Sequence, residues 1–125
     1  MLTGWGRTVR IFVCVPPTDM RRGFDGLAAT AQTVTRQDPL SGHLFVFFNR
    51  RRDRVKILYW DTSGYCLWYK RLEAGHFSLS GSVPDQDSME WDLPQLTLIL
   101  EGIDLSDSHR QRRYSRPEPP VTSRA

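Results

Sequence analysis

Residues 47–72 read FFNRRRDRVKILYWDTSGYCLWYKRL, a segment in which apolar runs are separated by polar turns. Residues 49–54 and 61–64 contain Asn, Asp, Ser and Gly, which are residue types that favour turns. Between the turns, successive side chains fall on opposite faces of a pleated strand. The pattern predicts a three-stranded antiparallel meander, with strands at residues 43–49, 55–61 and 65–72. The first of these is apolar on both faces, as in a central, covered strand.

The chain before the meander predicts one strand and one helix. Residues 8–15 are rich in β-branched side chains, and Pro16 and Pro17 end this strand. Thr18 or Asp19 is then expected to cap a helix that runs to about residue 36. Its apolar stripe at helical spacing consists of Phe24, Leu27, Ala28, Ala31 and Val34.

The chain after the meander predicts a loop at residues 83–90 that leads into a short strand, followed by a short helix. Asp92 with Gln95 three residues later has the spacing of a capping box. Gly102 fits the left-handed position that ends a helix. The buried stripe of this helix is predicted to be Leu96, Ile99 and Leu100.

These elements predict a small single domain of the α+β class at residues 1–105. A chain of 125 residues is long enough for one hydrophobic core. Residues 106–125 are polar, basic and proline-rich without periodicity, which predicts a disordered tail.

Charge is distributed unevenly along the chain. Residues 1–105 carry twelve basic and twelve acidic side chains, so the net charge of +3 comes from the tail. Residues 43–72 carry seven basic and two acidic side chains, whereas residues 82–107 carry seven acidic side chains and no basic one. Fifteen of the seventeen cations are arginine, which favours contacts with phosphate or carboxylate.

Catalytic and metal-binding patterns are absent from the sequence. There is no glycine-rich phosphate loop and no Cys/His/Asp cluster with metal-ligand spacing, so no cofactor is expected. Cys14 and Cys66 lie in predicted strands and are expected to be buried thiols. Asp61 ends a strand, where a nuclease could use a carboxylate, but a turn role is favoured, because no partner carboxylates lie at the ends of other predicted strands. No apolar run is long enough to span a membrane.

The sequence therefore indicates binding instead of catalysis. Arginines at an exposed turn are suited to DNA phosphates, and Trp60, Tyr65, Trp68 or Tyr69 would stack on unpaired bases if exposed. A charged turn around a buried aromatic core is the alternative. The candidate nucleic-acid-binding residues are Arg50, Arg51, Arg52, Arg54, Lys56, Arg110, Arg112 and Arg113.

Four segments resemble the small TnpB accessory proteins of IS66-type bacterial insertion sequences. They read PPTDMRRGFDGLAA, DPLSGHLFVFFNRRRDRVKILYWD, YCLWYKRLEAGHF and QLTLILEGID, in order from about residue 9 to residue 104. One departure is Arg52, where the family pattern has a small residue, often glycine. The long RNA-guided nucleases that share the TnpB label do not fit a chain of this length.

The resemblance implies a non-catalytic accessory role in DNA transposition, beside a larger transposase that carries the catalytic carboxylates. The first hypothesis is DNA binding at the ends of the element, through the arginine turn and the basic tail. The second is a protein–protein adaptor that docks the transposase through the acidic and basic stretches. A second copy of the chain is a further candidate partner. The expected location is the cytoplasm, and association with the nucleoid is left as an open alternative.

Overall fold

The computed structural model describes residues 8–79 and 81–102. The elements are β1 (Ile11–Cys14), α1 (Phe24–Thr35), β2 (Leu44–Phe48), β3 (Arg54–Asp61), β4 (Gly64–Arg71), β5 (Ser88–Trp91) and α2 (Leu93–Leu100). The predicted α+β class is confirmed. The predicted boundary after residue 105 and the predicted tail lie outside the described residues.

The five strands form one mixed sheet in the order β4-β3-β2-β1-β5. β2, β3 and β4 pair antiparallel, so the predicted meander is present, but as part of a larger sheet. β1 pairs with β2 in parallel, since α1 carries the chain back between them. β5 pairs antiparallel with β1 and forms the second edge. The sequence predicted β1 and β5 as strands without their places in the sheet.

The N-terminal end of α1 differs from the prediction. The helix begins at Phe24 with Gly23 as its N-cap, so the predicted caps Thr18 and Asp19 are wrong. Thr18 is buried, and its N–H donates to the carbonyl of Phe48 (2.8 Å). The Asp19 carboxylate accepts from the backbone N–H of Arg21 (2.9 Å), a local bond that competes with helix formation. Residues 18–23 are therefore a loop.

Both faces of the sheet are covered, which confirms the prediction for β2. On one face, three side chains of α1, Leu27, Ala28 and Ala31, pack on Phe12, Cys14, Phe45, Phe47 and Leu58. All three belong to the predicted stripe, but the prediction that Phe24 packs with them is wrong, because Phe24 is 49% exposed. The helix thus packs through its later turns, and its first residue faces solvent.

On the opposite face, α2 and the segment after β4 complete a second core. Leu96 and Ile99 of α2 are buried there, as predicted. Phe77 and Leu79, which the sequence did not single out, also join this core. The strand residues beneath them include Val13, Leu44, Val46, Phe48, Val55 and Ile57.

Asp92 caps α2 as predicted, and its removal is expected to weaken the fold. The Asp92 carboxylate accepts from the Gln95 N–H (2.8 Å), and Gly102 has the predicted positive φ of 83°. Asp92→Ala should lower the free energy of unfolding by about 1 kcal/mol in urea denaturation, because an N–H at the helix start loses its acceptor. Asp87→Ala is the matched control. An equal loss in both variants would contradict the capping role.

The two cysteines lie in different environments. Burial raises the pKa of the Cys14 thiol to about 12. Cys66 is only partly buried, so the expectation of two buried thiols holds for Cys14 alone. Neither α1 nor α2, the helices of the described residues, is long and apolar enough to cross a membrane.

Candidate nucleic-acid interface

Three connecting segments meet at one end of the sheet. Because β1 and β2 are parallel, residues 15–23 and residues 49–53 leave the sheet at the same end. Arg71, the last residue of β4, pairs with Arg54 at the start of β3, so the segment after β4 begins there too. Three backbone bonds join the segments: Thr18 N–H to Phe48 carbonyl (2.8 Å), Leu72 N–H to Asp53 carbonyl (2.7 Å) and Phe77 N–H to Arg52 carbonyl (2.6 Å).

The arginine turn between β2 and β3 is built on Asn49. The Asn49 side-chain oxygen accepts from the N–H groups of Asp53 (3.1 Å) and Arg54 (3.0 Å), and its amide donates to the Asp53 carboxylate (2.7 Å). Arg52 has a φ of 58°, the left-handed conformation that glycine adopts more easily. The tight turn is therefore kept although Arg52 replaces the small residue. The side chains of Arg50, Arg51 and Arg52 are exposed, as predicted.

Lys56 does not extend the exposed patch, which corrects the prediction from the sequence. Lys56 is only 7% exposed, because it lies on the α1 face of β3 beside the loop that precedes α1. Its ammonium donates to the carbonyls of Met20 (2.7 Å) and Arg22 (2.9 Å). The same ammonium lies 4.8 Å from the centroid of the Tyr69 ring. Lys56 therefore anchors this loop to β3 instead of facing solvent.

Two arginines of the loop before α1 lie at the same end of the sheet as the arginine turn, and the sequence did not point to them as candidates. Arg21 forms an exposed ion pair with Asp19 (2.7 Å), and its hydrogen bonds lower the pKa of the Asp19 carboxyl to about 2. Arg22 donates to the Thr30 hydroxyl (2.5 Å) and so lies along α1. The residue that holds their loop in place, Lys56, is more than thirty positions away in the chain. The only signal in the sequence is that Arg21 and Arg22 are consecutive arginines.

The end of the sheet carries a net positive charge. Its seven arginines, here called the cationic surface, are Arg21, Arg22, Arg50, Arg51, Arg52, Arg54 and Arg71. Four carboxylates lie among them: Asp19, Asp25, Asp53 and Glu73, of which Glu73 pairs with Arg71 (2.8 Å). These seven arginines and four carboxylates sum to +3 on the side of β2, β3 and β4, and Asp85 and Asp87 lie at the same end on the β5 side. The other predicted contacts, Arg110, Arg112 and Arg113, lie outside the described residues.

The four candidate aromatic side chains lie in different places. Trp60 and Tyr65 pack edge to face, with ring centroids 5.2 Å apart, and both are partly buried. Trp68 lies on the α2 face, where it lines an apolar groove of about 240 Å³. Tyr69 lies on the α1 face, is 47% exposed, and its hydroxyl accepts from Arg54 (3.0 Å). Tyr69 is therefore the exposed aromatic that belongs to the cationic surface.

The acidic stretch does not form one surface in the part of it that the structure describes. The Glu90 carboxylate is bound by Arg10 (2.7 Å), which lowers its pKa, and Asp92 caps α2. Asp85 and Asp87 are exposed in the loop before β5, at the same end of the sheet as the arginine turn. They lie at the β5 edge, so this end is basic on one side and acidic on the other.

Asp61 lies at the β3–β4 turn, opposite Gly64, where the turn interpretation places it. The Thr62 hydroxyl lies 3.5 Å from its carboxylate, and Thr62 adopts a φ of 52°. Within residues 8–79 and 81–102, no three His, Cys, Asp or Glu side chains are grouped so as to hold a metal ion.

Comparisons with known proteins agree with the resemblance. Residues 9–110 match the model of a family described as IS66 Orf2-like protein. Two curated proteins of Sinorhizobium fredii, the uncharacterized proteins y4hO and y4jC, are 37% and 36% identical over 99 and 104 residues. These matches cover 79% and 82% of the chain and 84% and 86% of the relatives. No solved structure matches the chain significantly. The chain therefore belongs to the IS66 Orf2-like family, an accessory family of IS66-type insertion sequences.

Proposed function

We propose that the protein is a non-catalytic accessory factor of IS66-type transposition that binds the DNA backbone through the cationic surface. Family membership implies the accessory role in transposition. The observation that supports DNA binding is the gathering of seven arginines from three separate segments at one end of the sheet. The larger transposase of the same element is the partner that would supply the catalytic carboxylates.

The form of the cationic surface suits a phosphate backbone. Arg50, Arg51 and Arg52 are exposed on a turn whose backbone is fixed by Asn49. Arginine binds phosphate with two parallel N–H groups, and a rigid turn loses little entropy when it makes such contacts. Tail residues Arg110, Arg112 and Arg113 would add further phosphate contacts.

The arginine turn can be tested by the salt dependence of DNA binding. A variant with Arg50, Arg51 and Arg52 changed to Gln should bind a duplex from the end of the element more weakly. The slope of log K against log salt should decrease by roughly 0.9 for each phosphate that the variant no longer neutralises. Fluorescence anisotropy at several salt concentrations measures both quantities. A scrambled duplex in parallel separates specific from nonspecific binding.

The matched control changes two arginines at the opposite end of the sheet. Arg10 precedes β1 and Arg36 follows α1, and both side chains are exposed. Changing both to Gln should leave the salt slope close to that of the wild type. Equal slopes for the turn variant and the wild type would remove the turn from the DNA contact. No DNA binding at all, with transposase still co-purifying, would instead support the adaptor.

A further inference from the structure

We infer that the cationic surface binds unpaired nucleotides, with one base stacked on the ring of Tyr69. This inference rests on the proposed function. It adds that the surface binds single-stranded DNA more tightly than duplex DNA. The observation is that a half-exposed aromatic ring is bonded to one arginine and lies beside a second, and both arginines could contact phosphates next to a stacked base. Duplex DNA hides the faces of its bases, so a stacking ring selects unpaired strands.

The ring of Tyr69 is held in place before any ligand arrives. Lys56 lies directly opposite Tyr69 across β3 and β4, and its ammonium lies 4.8 Å from the ring centroid. The Tyr69 hydroxyl accepts from Arg54 (3.0 Å). The ammonium lies over one face of the ring, and Tyr69 as a whole is 47% exposed. A fixed ring loses little conformational entropy when a base stacks on it.

Two arginines lie beside Tyr69 on the same face of the sheet. Arg71 is two residues from Tyr69 on β4, so both side chains project from the same face, about 6–7 Å apart along the strand. Arg54 lies directly opposite Arg71 on β3. Both residues therefore lie on the same side of Tyr69: Arg54 contacts its hydroxyl, and Arg71 pairs with Glu73 at 2.8 Å. Stacking on the ring and phosphate contacts beside it together form the binding mode of single-strand binding surfaces.

The other exposed or partly exposed aromatic side chains of the strands lack this combination. Trp60 and Tyr65 are engaged with each other by edge-to-face packing. Trp68 is adjacent to Tyr69 in the chain but projects from the opposite face, towards Leu93 and Leu96. This alternation makes Trp68 the natural control, an aromatic ring one residue away that is separated from the arginines by the sheet.

The test uses three DNA probes and three variants in fluorescence anisotropy. The probes are a thymidine oligonucleotide of about 12 nucleotides, an abasic strand with the same number of phosphates, and a duplex of the same length. Tyr69→Ala should weaken binding of the thymidine strand about tenfold and leave the abasic strand unaffected, because only the former offers a base. Tyr69→Phe, which keeps the ring but loses the bond from Arg54, should bind the thymidine strand clearly more tightly than Tyr69→Ala. Trp68→Ala should bind it like the wild type.

The outcomes distinguish a failure of this inference alone from a failure of the proposed function. Equal weakening of the thymidine and abasic strands by Tyr69→Ala would overturn the inference, because Tyr69 would then act only by holding Arg54. Unchanged binding in Tyr69→Ala would overturn it as well. In both cases a smaller salt slope in the arginine-turn variant would leave the proposed function standing. If the wild type binds none of the three probes, the proposed function fails and this inference fails with it.

Discussion

Substituting alanine for Phe77 is expected to lower the free energy of unfolding by about 3–5 kcal/mol, the typical cost of deleting a buried phenyl ring. Phe77 is 0% exposed, and its ring centroid lies 5.5 Å from that of Phe48. Its N–H also donates to the carbonyl of Arg52, so the residue fastens the segment after β4 beneath the arginine turn. Urea denaturation followed by tryptophan fluorescence measures the change.

The control for Phe77 is the same substitution at Phe24. Phe24 is 49% exposed at the first position of α1, so alanine there removes little packing and improves helix propensity. The free energy of unfolding should change by less than about 0.5 kcal/mol. A loss at Phe24 as large as that at Phe77 would contradict the assignment of Phe77 to the core and of Phe24 to the surface.

Changing Lys56 to methionine is expected to cost about 2–3 kcal/mol of unfolding free energy, because the two hydrogen bonds from its ammonium are charge-assisted. Methionine keeps most of the side-chain length and apolar stem, so the change removes mainly the bonds to the Met20 and Arg22 carbonyls. Loss of this anchor should also loosen the loop that carries Arg21 and Arg22. Affinity for DNA should then fall even at denaturant concentrations too low to unfold the protein. Fluorescence anisotropy under these conditions measures the change.

Lys70 provides the matched control, since the chain has only two lysines. Its ammonium also donates to a backbone carbonyl, that of Leu100 at the end of α2 (2.9 Å), but on the opposite face of the sheet. Lys70→Met should cost about 1 kcal/mol, the contribution of a single bond at a partly exposed site. DNA affinity should not change in this variant. Equal effects of the two substitutions on DNA affinity would show that Lys56 does not position the loop.

Much of the fold could be predicted because it depends on local patterns. The meander follows from the alternation of side chains and from two polar turns. The start of α2 follows from Asp92 and its end from Gly102. The start of α1 could not be predicted from local capping preference. Thr18 and Asp19 are good caps in isolation, but tertiary contact with β2 and the local bond to Arg21 hold them in a loop.

Only part of the candidate site could be predicted from the sequence. The arginine turn is one continuous string, so its exposure follows from turn chemistry alone. Arg21, Arg22 and Arg71 join it through strand pairing and through the buried ammonium of Lys56, which are long-range contacts. The prediction that Lys56 is exposed was wrong. Nothing local to this arginine-rich hairpin indicates that a loop over thirty residues away covers the lysine.

By itself, the sequence determined the class of fold, the central meander, the exposed arginine turn and the family. These depend on neighbours along the chain, or on residue strings long enough to be specific. Only the tertiary structure decided the five-stranded order of the sheet, the burial of Phe77 and Lys56, and the exposure of Tyr69 beside Arg54. The physical reason is that a strand pattern fixes which side chains share a face. What covers that face is set by segments distant in the sequence, whose packing has no local signal.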